Sequence, residues 1–81
     1  MLRGYYVSWK HAGVKSGTFT THRVTPASKR KYLIQNLFSN SRYEVKVQMF
    51  NDAGGGPFSD PVVLRTKEEG KLVIDLSKLS G

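Results

Sequence analysis

Apolar and polar residues alternate with a period of two along most of the chain, and helical spacing is nearly absent before the tail. The opening stretch, LRGYYVSWK, puts Tyr5, Val7 and Trp9 on one face and Gly4, Tyr6 and Ser8 on the other, as a half-buried strand does. The polar, glycine-bearing segment HAGVKSG reads as a loop. TFTTHRVTP is rich in β-branched residues and stopped by Pro26, which marks an edge strand. In KRKYLIQNL, Tyr32 and Ile34 share one face while Leu33 and Gln35 take the other. SRYEVKVQMFN is the cleanest pattern: Tyr43, Val45, Val47 and Met49 point one way, and Glu44, Lys46, Gln48 and Phe50 the other. DAGGGPFSDP reads as a turn-rich loop and VVLRT as a short strand. Five strands separated by turn signals predict an antiparallel all-β sandwich.

A charged break, KEEG, precedes the tail KLVIDLSKLSG. Leu72, Ile74 and Leu76 alternate as in a strand, whereas Leu72, Leu76 and Leu79 share a helical face. The β-branched pair Val73–Ile74 and the flanking Gly70 favour a strand over Leu72–Leu76. The expected organisation is therefore strands over residues 1–66, then a charged linker and an apolar tail over 67–81 that supplies an extra strand.

Length and composition narrow the functions open to such a chain. Its 81 residues suffice for one domain, and a domain of that size hides only roughly 60–65% of its unfolded surface. It has no cysteine, so neither a disulfide nor a thiolate metal site is available. No apolar run approaches the length of a membrane span, so membrane insertion is not expected, and no signal peptide is read after Met1. The formal charge of +7 predicts long-range attraction to polyanions that weakens with salt.

One polyanion is nucleic acid. The opening strand approximates, with one residue missing, an RNA-binding strand motif of a basic residue, Gly and spaced aromatics. That fold needs two helices and a second aromatic strand motif, and no helix-period segment lies between these strands. Nucleic acid is not an expected partner, and Tyr5, Val7 and Trp9 are read as core.

The segment YEVKVQMFNDAGGGPFSDP resembles the sixth strand and following loop of a fibronectin type III domain. In that family a Tyr, two valines, an Asn and a Gly-x-Gly turn precede a Ser; here these are Tyr43, Val45, Val47, Asn51, Gly54, Gly56 and Ser59. Leu37 lies six residues before Tyr43, as in the family's tyrosine corner, where the phenol bonds the backbone and locks a loop between the sheets. GYYVSW resembles the third strand and YLIQNL the fifth. The resemblance spans about Leu2 to Thr66 and implies an immunoglobulin-like sandwich, truncated or rearranged at the N-terminus. The family's first two strands, and the tryptophan of the second, have no counterpart before Gly4. Asn36 stands where Gly is usual, and Phe38-Ser39-Asn40 replaces the usual Lys-Pro-Gly type of turn. The strand on YLIQNL would then need other cover for its open edge: the tail strand folding back, strands exchanged between two copies, or the missing half of a longer domain.

No catalytic constellation is visible. The acids are scattered, His11 and His22 read as solvated side chains without ligand partners beside them, and Gly54-Gly55-Gly56 lacks the Lys-Ser/Thr and helix of a phosphate loop. No enzyme, cofactor or metal site is expected, and no Asn-x-Ser/Thr sequon occurs. The family resemblance implies a protein-contact or spacer module of an extracellular adhesion protein or cell-surface receptor, with an intracellular muscle-type module as the other setting. The candidate partner-binding residues are Tyr6, Lys46, Phe50, Asn51 and Phe58, the aromatics serving as exposed anchors. Against this, Phe50 covered by Tyr6 across the sheet would be ordinary sheet stabilisation. The basic run Lys29-Arg30-Lys31 is the candidate site for a sulfated glycan.

Overall fold

A computed structural model describes residues 1–13 and 17–76. In it, the two longest alternating segments form the two central strands. β1 (Leu2–His11) and β4 (Arg42–Asn51) pair antiparallel over nearly their whole length, with Val7 opposite Val47. β2 (Thr20–Val24) pairs only with β1 and is an edge strand. On the other side of β4 lie β5 (Gly54–Phe58), against its end, and β6 (Val62–Arg65), against its beginning. These five strands make sheet A. Sheet B is the antiparallel pair of β3 (Lys31–Ile34) and β7 (Leu72–Asp75), with Tyr32 opposite Ile74.

Two sheets with alternating strands bury one face each, and the core lies between them. Sheet A supplies Tyr5, Val7, Trp9, Val24, Tyr43, Val45 and Val47 to it, and sheet B supplies Ile34, Leu72 and Ile74. Leu76, just past β7, is fully buried, and its N–H donates to the Arg30 carbonyl at 2.8 Å. β7 thus covers the apolar face opposite Val45 and Val47 and pairs the edge of β3 within the same chain. Leu79, considered above as part of a helical face, lies outside the described residues.

Two readings of the sequence are corrected. The segment taken as a loop before VVLRT contains β5, which a register irregularity between Gln48 and Phe50 lets join β4. Glycine and proline have poor strand propensity, so GGGPF gives no alternation to read. Met49 was grouped with the buried face, yet it is 40% exposed, because it sits at that irregularity, beyond the cover of sheet B.

The chain between β3 and β4 is fixed by specific bonds. The Tyr43 hydroxyl accepts from the Phe38 N–H at 2.8 Å, the tyrosine-corner bond. Half-buried Leu37 donates its N–H to the Gly70 carbonyl at 3.0 Å. Buried Thr66 ties the same loop down: its hydroxyl donates to the Phe38 carbonyl and accepts from the Ser41 N–H at 3.0 Å. Gly70 has φ +64°, and a Cβ there would stand 2.1 Å from the Leu37 carbonyl oxygen, so only glycine fits. Asn36 and Asn40 also adopt positive φ, 61° and 48°. Asparagine tolerates that region better than other side chains, which is why Asn36 can stand in a glycine's place.

Candidate interaction surface

The outer face of sheet A is built by the residues that β-alternation turns away from the core. On β1 these are Tyr6, Ser8 and Lys10; on β4, Arg42, Glu44, Lys46 and Gln48; on β6, Val63 and Arg65; on β2, Thr21 and Arg23. Alternation along β4 carries Phe50 to this side as well, opposite Gly4. A Cβ at Gly4 would stand 3.0 Å from the Phe50 ring and 2.4 Å from the Val24 carbonyl, so glycine makes room for that ring.

Aromatic rings and cations interleave across the face. The Tyr6 and Phe50 rings pack at 4.7 Å between centroids, and the Arg23 guanidinium lies 4.8 Å over Phe50. The Lys46 ammonium sits between Phe19 and Phe58, 4.2 and 4.3 Å from the two ring centroids, and Lys10 approaches the Phe19 ring at 5.1 Å. Such contacts are worth about 0.5–1 kcal/mol each at exposed sites and hold the long side chains in place. Lys10 also pairs with Glu44 at 3.7 Å.

The five residues expected to bind a partner lie on this face or at its end, in unequal exposure. Phe58 is 41% exposed, while Phe50 is 7% exposed beneath Tyr6 and Arg23. Tyr6 and Lys46 are half-buried. Asn51 is occupied in its own turn, its Oδ1 accepting from the Ala53 N–H at 2.9 Å. Beside it, Arg3 is ion-paired to Asp52, and Arg3, Tyr6, Arg23 and Asp52 rim a polar hollow at this end of the sheet.

Lys29, Arg30 and Lys31 are all exposed, at the entry to sheet B and away from the sheet A face. Extended backbone through this run would point Lys29 and Lys31 the same way. Instead the Lys29 N–H closes a turn on the Pro26 carbonyl at 3.0 Å, and the strand begins only at Lys31. The histidines are not simply solvated. His22 shares a 2.6 Å hydrogen bond with the Tyr32 hydroxyl and stands edge-on to Trp9, joining β2 to β3 across the sandwich. His11 packs against Phe38 and Tyr43. Among the described residues no group of three or more potential ligands converges on a metal site, and no helix is long and apolar enough to cross a membrane.

With strand order, tyrosine corner and outer face in place, the family follows from comparison. The fibronectin type III domain model matches residues 1–65. The chain belongs to the fibronectin type III family. It is 42% identical over 52 residues to mouse (Mus musculus) protein sidekick-2, which covers 64% of this chain and 2% of that protein. It is 32% identical over 65 residues to the Caenorhabditis elegans sidekick homolog, 80% of this chain and 3% of that one. It is also 26% identical over 66 residues to human (Homo sapiens) cell adhesion molecule-related/down-regulated by oncogenes, 82% of this chain and 5% of the relative. No solved structure matches the chain. The chain thus spans only a few per cent of these relatives' length. Membership makes this fibronectin type III domain a non-catalytic interaction module of extracellular or cell-surface type.

Of the cations gathered on the outer face, the sequence pointed to Lys46 alone, as a partner-binding residue. Arg42, Lys46, Arg65, Lys10 and Arg23 are scattered along the chain and meet only through strand register. The available signal was their place at outward positions of strands whose inward faces were already assigned.

Proposed function

We propose that the chain is a protein-contact module of a cell-adhesion protein or receptor, docking through the outer face of sheet A and the adjoining segment Asn51–Pro61, which contains β5. The observation that carries this reading is the Phe58 ring, 41% exposed and held by Lys46, beside a Tyr6–Phe50 pair. Exposed rings fixed by their neighbours lose little freedom on docking and serve as anchors. Phe50 acts from below by setting Tyr6 and Arg23, and Asn51 acts by shaping the turn. The adhesion relatives support a protein partner at a cell surface. The pairing of β7 with β3 within one chain supports a module that acts as a single copy.

The test is binding of the native domain and of Phe58→Ala to an array of purified ectodomains at 0.15 and 0.5 M salt. The protein-contact reading expects a partner whose binding survives the higher salt and weakens about tenfold or more with Phe58→Ala. Binding that vanishes at 0.5 M salt and ignores Phe58→Ala would overturn it.

A further inference from the structure

We propose that the outer face of sheet A also binds a sulfated glycan chain, laid along a diagonal stripe of five cations that crosses four strands. The stripe lies on the same face as the protein-contact reading and shares Lys46 and Arg23 with it, but it rests on the cations and their register, not on the exposed aromatic rings.

The strand register draws the stripe. Arg65 stands directly opposite Arg42 at one corner of the sheet. Lys10, opposite Glu44, lies one row on, and Lys46, opposite Ser8, lies one row beyond that. Arg23 reaches the far edge, through Tyr6, in the row of Gln48. Three inter-strand spacings of about 4.8 Å and six residues of rise near 3.3 Å make the stripe about 25 Å long. Among the described residues Glu44 is the one acid turned outward on these rows, and Lys10 already engages it at 3.7 Å. The stripe is left with a surplus of positive charge along a line.

Two features show that these cations are arranged rather than merely solvated. Like charges directly opposite in a sheet are destabilising, yet Arg42 and Arg65 face each other, exposed and without an ion-pair partner among the described residues. An anion bridging them relieves that repulsion. In the middle, Phe19 gathers the Lys10 and Lys46 ammonium groups over one ring, and Phe58 holds Lys46 from the other side. Side chains already fixed in this way lose less freedom on binding.

The shape of the charge selects the occupant. A linear polymer with anionic groups along its length meets the stripe end to end. A second copy of this chain does not, since each carries +7 and would bring the same cations to the contact. Lys29, Arg30 and Lys31 present no comparable line, because a turn precedes β3.

The experiment uses a heparin oligosaccharide long enough to span the stripe, titrated at 0.15 M salt against three proteins. These are the native domain, a stripe variant (Arg42→Gln, Lys46→Gln, Arg65→Gln) and a strand-end variant (Lys29→Gln, Arg30→Gln, Lys31→Gln). Both variants lose three charges, so bulk attraction falls equally in each. The proposal expects about a tenfold or larger loss for the stripe variant and no more than about twofold for the strand-end variant. It also expects a binding slope that falls steeply with salt. Amide chemical shifts of the native domain supply a readout that needs no variant to fold: the oligosaccharide should perturb β1, β2, β4 and β6 and leave β3 and β7 unmoved. Equal losses, a larger loss at the strand end, shifts centred on β3, or no binding by the native domain would each overturn it. Poly-L-glutamate binding as tightly as heparin would also overturn it, by making the occupant an acidic polypeptide.

Discussion

At the residue scale, this fold depends on a few atoms that close the loop between its sheets. The Tyr43 hydroxyl is one, since the Phe38 N–H it receives at 2.8 Å is part-buried. Replacing Tyr43 by Phe keeps the ring and removes the acceptor; a fully buried N–H left unpaired costs about 1–3 kcal/mol, and this part-buried one falls toward the lower end. Urea unfolding of Tyr43→Phe should show a loss in that range with an unchanged m value. The backbone at Gly70 is another. Gly70→Ala adds positive-φ strain to a close approach of 2.1 Å between the new Cβ and the Leu37 carbonyl, and should cost about 2 kcal/mol or more in the same assay. Asn36 shows how far the residue scale was legible. Its φ of 61° is compatible with the left-handed conformation that a glycine would otherwise supply, so the departure from the family pattern changes the residue and not the backbone path.

At the scale of elements, alternation alone was enough for β1 and β4, because each carries four or five alternate positions with clear polarity contrast. β5 was not legible. Its glycines and proline carry no side-chain pattern, and it is held by bonds of its neighbours, such as the Val47 N–H to the Ser59 hydroxyl at 2.9 Å. β7 was ambiguous, since four residues satisfy strand and helix periods alike, and only pairing with β3 decides between them. That pairing makes a sharp prediction. Ile74 is buried and Val73 is 59% exposed on the opposite face of the same strand. Ile74→Asp buries an unpaired carboxylate and should prevent folding, whereas Val73→Asp should cost under about 1 kcal/mol. Circular dichroism melts of the two variants check this, and similar behaviour of both would remove β7 from the core. The cationic stripe was illegible for a related reason: runs in sequence draw attention to Lys29-Arg30-Lys31, while register assembles Arg42 with Arg65 and Lys10 with Lys46 from distant segments.

At the scale of the whole molecule, the two sheets divide the labour. Sheet B closes the core with two strands, and sheet A, with five, presents the charged and aromatic face. That division is what makes a fibronectin type III domain of this size useful as an interaction module: one face holds the structure, and the other is free to vary in chemistry. The account therefore rests on sheet A being the binding side. The most direct test compares binding of the domain to the cell surfaces or ectodomains that retain it, for two matched double variants. One, Tyr6→Ser with Phe58→Ser, alters sheet A; the other, Leu33→Ser with Val73→Ser, alters the exposed apolar residues of sheet B. Loss of binding in the first with full retention in the second is the predicted result. Retention in the first and loss in the second would contradict it and move the interaction surface to sheet B.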